Sequence, residues 1–325
     1  MSLSKKVLKY LLYPLVYRYV SMPGKSYAGP LPLMGHKLDQ LRLRLNEHVD
    51  TLAVGIGERS IGNYEGMLRA VEYIESSFRH LNLKVERQDI VFDGKVMPNL
   101  IVEIRGKWRP TEIVVVGAHY DTVNNTPGAD DNASGVAALL ELARAFSRRD
   151  NHRTVRFVAF ANEEHPGGTW DQMGSYAYAK RCRERGENIV GMLSLEMLGV
   201  FSDEPNSQHY PSPFNLFYPT TANFLAFVAN ARSRKFVRRC VGSFRKHAQL
   251  PSEGVNAPEI IRDIGRSDHW AFWQFGYPGV MVTDTSNFRY PLYHTPKDTV
   301  DKIDFTRMTL AVAGIRHVIE DLVTA

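Results

Sequence analysis

Cysteine is scarce in this chain of 325 residues, which contains only Cys182 and Cys240. Two cysteines cannot form a disulfide framework, and their spacing excludes a C-x-x-C metal or redox motif. Each is therefore expected to be a small buried apolar residue. Internal repeats and low-complexity tracts are also absent, so a repeat architecture is not expected. A hydrophobic content of 44% and a charged content of 23% are typical of a globular protein with one or two domains.

Long apolar runs are absent too. The stretch from Val7 to Val20 is apolar and aromatic, but Lys9, Pro14 and Arg18 interrupt it. It is too short and too broken to span a membrane, and it lacks the A-x-A site of a cleavable signal peptide. The protein is therefore expected to be cytoplasmic or membrane-associated. Residues 1–36 are interpreted as a basic, aromatic arm, which either contacts a membrane surface peripherally or packs on the body.

Outside this arm the chain has no excess of positive charge. The net charge is +5, and the first 27 residues carry five Lys and Arg residues and no acid, which leaves the rest at zero. The body is therefore not expected to bind nucleic acid through its charge. The basic run from Arg232 to Lys246 is interpreted as a solvated helix face, with attraction of an acidic substrate as the minority alternative.

Strands alternate with helices along the sequence. Apolar periodicity predicts helices over 37–80, 135–149, 175–185, 221–239 and 305–322. Apolar and β-branched runs predict strands over 83–91, 99–106, 112–119, 155–161, 191–196 and 279–283. Residues 199–219 and 248–266 are predicted to be loops. This alternation predicts an α/β fold with a mostly parallel, mixed central sheet and helices on both faces.

Acidic residues and histidine stand where three of these strands end. His119 closes one strand, Glu196 closes another, and Glu163 and Glu164 directly follow a third. In open α/β sheets, ligands bind beyond the carboxyl ends of the strands. These side chains are therefore expected to meet at one edge of the sheet.

The chemistry of this set predicts a metal site. Six acids and two histidines without matching bases are costly unless cations neutralise them. A two-metal site about 3.5–4 Å across needs a bridging carboxylate, and zinc suits mixed imidazole and carboxylate ligands. Each motif alone has a plainer explanation: His119 as a satisfied buried histidine, Glu163-Glu164 as a solvated pair, and Asp130-Asp131 as a turn. Their joint occurrence favours the metal site.

Six short motifs follow one another along the chain: His119-Tyr-Asp121, Gly-Ala-Asp-Asp131-Asn-Ala-Ser-Gly, Asn-Glu163-Glu164, Leu-Ser-Leu-Glu196-Met, Ser267-Asp268-His269 and Tyr293-His294-Thr-Pro-Lys-Asp298-Thr. In these motifs and their order, the chain resembles the co-catalytic zinc peptidases of the bacterial leucyl aminopeptidase and glutamate carboxypeptidase type. The resemblance covers roughly residues 45–322 and implies a single zinc peptidase catalytic domain over 37–325 with a phosphorylase/hydrolase-like architecture.

The resemblance implies two Zn²⁺ per chain. Asp131 is the expected bridging carboxylate. His119 and Glu196 would complete one zinc site, and Glu164 and His294 the other. Many relatives have Asp where this chain has Glu196, so the first zinc site is expected to accommodate one additional methylene.

The resemblance also implies three roles outside the ligand set. Glu163 would be the general base that activates the attacking water and later protonates the leaving amine. Asp121 would accept a hydrogen bond from His119 and fix its tautomer. Tyr293 would donate to the tetrahedral oxyanion, with a purely packing role as an equal alternative.

The expected function is that of a zinc-dependent exopeptidase, an aminopeptidase acting on peptides. A glutaminyl cyclase-like aminoacyltransferase, which needs one zinc, and a non-catalytic binding member of the fold are the alternatives. The constellation alone does not separate aminopeptidase, dipeptidase and carboxypeptidase, and neither the native metal nor the oligomeric state is readable. Side-chain preference is expected to depend on residues 165–174, 199–219 and 248–266.

Overall fold

Eight strands form one mixed sheet in this computed structural model, which describes residues 16–164, 169–211 and 214–324. The sheet order is β1-β2-β4-β3-β5-β8-β6-β7. Neighbours from β4 through β3 and β5 to β8 are parallel, as are β6 and β7, and the other pairs are antiparallel. The strands are β1 Val85–Phe92, β2 Lys95–Ile104, β3 Arg109–His119, β4 Arg153–Phe160, β5 Asn188–Glu196, β6 Leu225–Asn230, β7 Ser252–Ala257 and β8 Gly279–Thr283.

Helices cover both faces of this sheet, which confirms the predicted fold class. Alternate side chains of a strand point to opposite faces; Val114 and Val116 of β3 therefore join one apolar core and Val115 joins the other. The larger core includes α1, α2, α3, α5 and α7, while the smaller one includes α4 and α6. The helices are α1 His36–Asp50, α2 Tyr64–His80, α3 Gly135–Phe146, α4 Gly174–Glu184, α5 Arg234–His247, α6 His269–Gln274 and α7 Phe305–Thr324.

Local sequence explains two of the junctions. Asp93 and Gly94 both have positive φ, 49° and 70°, which is the geometry that a two-residue hairpin between β1 and β2 requires. At the start of α3, the Asn132 side chain accepts a hydrogen bond from the Gly135 amide (3.2 Å). The Ser134 hydroxyl instead donates to the Asp130 carbonyl (2.7 Å), so Asn132 is the residue that caps this helix.

Three of the predicted elements are wrong in part. The helix expected over 37–80 is interrupted, because the helical turns after α1 end at Ile56 and α2 begins at Tyr64. The helix expected over 221–239 is in fact β6 followed by α5. The short apolar run of β6 fits either state by periodicity, so only its pairing with β7 and β8 decides.

The loop expected over 248–266 contains β7. Its sequence, Ser-Glu-Gly-Val-Asn-Ala, has few of the β-branched and aromatic residues that mark strands. It forms the sheet edge beyond β6, where pairing with a single neighbour stabilises it. The loop expected over 199–219 agrees with the described part of that segment, which contains only one short helical turn, Phe214–Leu216.

The described part of the N-terminal arm packs on α5 and β7. Arg234 donates to the Arg18 carbonyl (3.1 Å) and Arg238 to the Ser21 carbonyl. The Ser252 amide of β7 donates to the Ser26 hydroxyl (2.8 Å). The basic helix therefore binds backbone of the arm with part of a face that was expected to be solvated. Residues 1–15, which hold most of the arm's lysines, lie outside the described residues, and the division at residue 36 remains a prediction.

Within the described part of the chain, no helix combines the length and the apolar character needed to cross a membrane.

Candidate metal centre

Parallel strands bring the strand-end residues to one edge of the sheet. His119 and Glu196 are the last residues of β3 and β5, which are parallel neighbours. Strand β4 lies on the other side of β3 and is followed by Glu163 and Glu164. The expected convergence of these segments is thus a direct consequence of the sheet topology.

The first cluster surrounds the His119 ring. Its Nε2 lies 3.4 Å from Asp131 Oδ1 and 3.3 Å from Glu196 Oε2. All three side chains are buried. Glu196 reaches the cluster despite its additional methylene, and the Ser267 hydroxyl donates to its Oε2 (2.7 Å).

The second cluster surrounds His294. Its Nε2 lies 3.0 Å from Asp131 Oδ2 and 2.9 Å from Glu164 Oε1. In each cluster the potential ligand atoms lie within 4.8 Å of one another. Asp131 therefore belongs to both clusters and turns one carboxylate oxygen toward each histidine.

Buried polar atoms in these clusters fit a divalent cation. His119 Nε2 and Asp131 Oδ1 are both buried without a hydrogen-bond partner among the described residues. Leaving such atoms unpaired costs about 1–3 kcal/mol each, and a cation bound between them would satisfy both. Imidazole and carboxylate donors are the ligands that zinc takes in hydrolytic sites.

The electrostatics of the two clusters also favour a cation. Burial raises the pKa of Glu164 to about 8, and the charge of Asp131 acts in the same direction. Burial lowers the pKa of His294, but hydrogen bonds with Asp131 and Glu164 outweigh it and raise the value to about 10. The clusters thus hold protons that compensate for a concentration of negative charge, and a divalent ion would replace those protons.

Asp121 holds the glutamate pair in place. Its carboxylate accepts hydrogen bonds from the amides of Glu163 (3.1 Å) and Glu164 (2.9 Å). His119 Nδ1 lies 3.5 Å from Asp121 Oδ1 and 3.1 Å from the Asp121 carbonyl oxygen. The imidazole therefore faces Asp121 as expected, with the backbone oxygen nearer than the carboxylate.

Glu163 and Tyr293 border the two clusters. Burial raises the pKa of Glu163. The charge of His119 lowers this pKa, while the charges of Glu164 and Glu196 raise it further. The Tyr293 ring stacks on His294 with 3.6 Å between the ring centres. Burial and the surrounding carboxylates raise the pKa of Tyr293 far above its usual range, so its hydroxyl stays protonated at neutral pH.

Asp298 supports Asp131 in a way that the sequence motif did not reveal. Its two carboxylate oxygens accept the amide N–H groups of Asp130 (3.0 Å) and Asp131 (3.1 Å). The Tyr290 hydroxyl donates to the same carboxylate (3.1 Å). Asp298 belongs to the motif around His294, so the sequence indicated its importance without indicating its contacts.

Arg59 is a second support that sequence reasoning missed. It is fully buried, and burial lowers its pKa to about 10 despite the charges of Asp298, Asp121 and Asp131. Its guanidinium donates to five carbonyl oxygens, those of Leu52, Gly57, Tyr120, Pro127 and Gly128.

Gly128, whose carbonyl accepts from Arg59, directly precedes the turn that contains Asp130 and Asp131. It has φ +56°, and a Cβ at this position would lie 2.2 Å from the Asp131 carbonyl oxygen. Only glycine fits there without strain. The single arginine therefore fixes the segment between the strand that ends in His119 and the turn that carries Asp131.

An apolar pocket opens beside Tyr293. It encloses about 890 Å³ of space, including the part open to solvent. Described residues of the segments 199–219 and 248–266 supply part of its lining, and the influence of these segments on side-chain preference stays a prediction. Of the third segment, residues 165–168 lie outside the described part of the chain.

Comparisons with known proteins agree with this geometry. The family described as "Peptidase family M28" matches residues 99–319. The uncharacterized protein YfbL of Escherichia coli K12 is 34% identical over 281 residues, which are 84% of this chain and 85% of that protein. A probable leucine aminopeptidase 1 from Trichophyton verrucosum is 31% identical over 214 residues, which are 62% of this chain. The match spans only about half, 52%, of the fungal protein.

Solved structures share the fold. BSAP, a zinc aminopeptidase from Bacillus subtilis, gives a TM-score of 0.67 at 16% identity, covering 91% of this chain and 97% of that one. Porphyromonas gingivalis glutaminyl cyclase gives 0.62 at 17% identity, covering 88% and 98%. The predicted enzyme class, a metallo-exopeptidase of the hydrolase type, is confirmed by the family match. This family match over residues 99–319 agrees with the ordered motifs, the mixed sheet and the residues that meet at the sheet edge, and the chain belongs to peptidase family M28.

Proposed function

We propose that this protein is an aminopeptidase that binds two Zn²⁺ between His119, Asp131, Glu164, Glu196 and His294. The observation that carries the proposal is the position of Asp131, whose two oxygens face different histidines at 3.4 and 3.0 Å. A carboxylate in this arrangement can bridge two cations, which a one-metal site does not need. Names of relatives and structural neighbours, leucine aminopeptidase and zinc aminopeptidase, support the assignment.

When bound, the two ions would polarise the scissile carbonyl and make water nucleophilic at neutral pH. Glu163 would accept the proton of the attacking water and pass it to the leaving amine. The amides of Glu163 and Glu164 donate to the same Asp121 carboxylate, so one side chain would position both the base and its neighbouring ligand. The Tyr293 hydroxyl would donate to the carbonyl oxygen as that oxygen gains charge.

Exopeptidase action needs a group that recognises the chain end. A free N-terminal amine is cationic or a strong donor, and Glu163 and Glu196 would accept hydrogen bonds from it. The side chain of the first residue would then enter the apolar pocket beside Tyr293. Removal of N-terminal residues from peptides is the reaction that uses all of these contacts.

Replacing the base tests this function. Glu163→Gln keeps the shape of the side chain but cannot accept a proton, so kcat on an aminoacyl-p-nitroanilide should fall by roughly 10²- to 10⁴-fold. Zinc content should stay at about two per chain, because the proposed ligands are unchanged. Glu184→Gln, an exposed position on α4, is the matched control and should keep wild-type turnover.

Three results would contradict the assignment. Near-normal turnover of Glu163→Gln would show that another group is the base. One zinc per chain, with cyclisation of an N-terminal glutamine, would indicate a transferase like the glutaminyl cyclases that share the fold. Zinc binding without turnover of any aminoacyl substrate would indicate a binding member of the family.

A further inference from the structure

The pocket beside Tyr293 has a floor made by one face of the sheet. Four residues form a row across neighbouring strands: Glu196 of β5, Thr283 of β8, Ala226 of β6 and Glu253 of β7, each paired with the next. The last three residues of this row all line the pocket. A second row, formed by Met281, Val228 and Val255, lies beside the first and lines the pocket too.

Glu253 is the acid on this otherwise uncharged floor. Its side chain is 25% exposed, and Arg245 Nη2 lies 3.6 Å from its Oε2. At that separation the two side chains form an ion pair but no hydrogen bond, and among the described residues no group donates a hydrogen bond to the carboxylate. Asp263 and Arg266 also line the pocket and form an ion pair at the same separation, but they are 41% and 44% exposed, so solvent already screens their charges.

Arg245 directs its hydrogen bonds to groups other than Glu253. Its guanidinium donates to the carbonyls of Ser252 (2.8 Å), Pro23 (3.3 Å) and Gly24 (3.2 Å). The last two belong to the N-terminal arm, so the arm fixes this side chain. Burial raises the pKa of Glu253 more than the charge of Arg245 lowers it, so Arg245 offsets the loss of solvent only in part.

Aromatic rings line the same pocket. They include Tyr210, Phe214, Tyr218, Phe224 and Phe288. Faces of aromatic rings attract cations, and the apolar walls suit an aliphatic stem. A side chain that combines an aliphatic stem with a cationic end satisfies both the walls and the floor.

We propose that Glu253 determines the specificity of this pocket and selects peptides whose first residue is Lys or Arg, an inference that depends on the proposed aminopeptidase function. The distance is suitable. Three strand spacings of about 4.8 Å place Glu253 about 14 Å from Glu196 between Cα atoms. A Lys or Arg side chain spans roughly 6–7 Å from Cα to its charged group, and Glu253 adds the length of its own side chain from the pocket floor.

The test compares the zinc-loaded enzyme on the p-nitroanilides of lysine, arginine and norleucine. Norleucine has the aliphatic chain of lysine without the ammonium group. The wild type should prefer lysine and arginine, and Glu253→Gln should lower the lysine-to-norleucine ratio of kcat/KM by roughly 10- to 100-fold, as for a partly desolvated charged contact. Glu253→Asp, which keeps the charge, should retain most of the preference.

Glu259→Gln is the matched control. Glu259 is an exposed glutamate six residues further along the chain, and it accepts a hydrogen bond from Asn230 (2.9 Å) instead of lining the pocket. Its lysine-to-norleucine ratio should equal that of the wild type. A wild-type preference for norleucine, or an unchanged ratio in Glu253→Gln, would overturn the inference and leave the aminopeptidase assignment standing.

Binding supplies a readout that does not need turnover. Calorimetric titration of zinc-loaded Glu163→Gln with lysinamide and norleucinamide should show tighter binding of lysinamide. The same titration of the Glu163→Gln, Glu253→Gln double variant should show no such difference. If no aminoacyl-nitroanilide is hydrolysed by the wild type, the proposed function fails, and these affinities alone decide whether Glu253 recognises a cation.

Discussion

Arg59 should contribute strongly to stability although it lies outside every motif that identified the site. Its guanidinium is buried and donates to five backbone carbonyls at 2.7 to 3.0 Å. Two of those carbonyls, of Tyr120 and Gly128, flank the segment between His119 and the Asp131 turn. Substitution by Met keeps most of the volume and removes every donor.

The expected cost follows from those contacts. A buried acceptor that loses its partner costs about 1–3 kcal/mol, and part of this loss is recovered by relaxation and water. We expect Arg59→Met to lower the free energy of unfolding by about 4 kcal/mol, within the range of severe single substitutions. With an unfolding entropy of about 2.1 cal/mol/K for each of 325 residues, this lowers Tm by roughly 6 °C.

Thermal unfolding of the chelated protein, followed by circular dichroism or calorimetry, measures this change without a contribution from bound metal. Arg69→Met is the matched control, because Arg69 is exposed and donates to a single carbonyl, that of Ile56 (2.7 Å). Its effect should stay within about 0.5 kcal/mol. If Arg59→Met were as stable as Arg69→Met, the view of Arg59 as the residue that fixes this segment would be refuted.

Two further substitutions test other supports of the fold and the site. In Asp298→Asn, a side-chain NH₂ group replaces one carboxylate oxygen, so the backbone amide of Asp130 or Asp131 loses its acceptor. Zinc affinity, measured by competition with a chelating indicator, should fall roughly 10- to 100-fold. The control Asp301→Asn changes an exposed residue and should leave zinc affinity unchanged. Glu141→Gln on α3 should destabilise the protein by about 2 kcal/mol at pH 7. This loss is smaller than that for a fully buried ion pair, because the partner Arg44 is 35% exposed. Burial disfavours the charged form of Glu141, but hydrogen bonds from basic partners outweigh it and lower its pKa. The destabilisation should therefore be complete above the unfolded-state pKa of about 4.3 and should disappear as pH falls through the lowered folded value; a difference that persists at lower pH would contradict this reasoning.

Sequence reasoning located the central sheet and the residues at its edge because both leave local signals. The run Ile-Val-Val-Val in β3 is apolar on both faces, which is typical of a strand covered on both sides. His119 and Glu196 follow such runs directly, so a parallel sheet brings them to the same edge whatever the loops do. The resemblance added which carboxylate is shared, and in the structure the two oxygens of Asp131 lie 3.4 and 3.0 Å from the two histidines; the bridging role itself stays a prediction.

The two strands that lie beyond β8 at the edge of the sheet, β6 and β7, were not predictable in the same way. The Ala-rich run of β6 satisfies either a helix or a strand, and β7 contains Gly and Asn, which disfavour strands. Both become strands because β8 offers an unpaired edge, to which β6 adds antiparallel and β7 then adds parallel to β6. Such pairing depends on contacts between segments far apart in the chain, which no local pattern records.

The same reason explains why the contacts that hold the site were missed. Arg59 and Asp298 act on backbone groups, and a backbone acceptor or donor has no signature in the sequence. Arg59 reaches three of its five carbonyls across 61 to 69 residues of chain, and Asp298 accepts amides 167 and 168 residues away. Side chains that bind metal are restricted to a few residue types, so a motif can reveal them. Side chains that position those ligands are restricted by geometry instead, and only the folded structure shows that a buried arginine and a buried aspartate fix the two ends of the turn that carries Asp131.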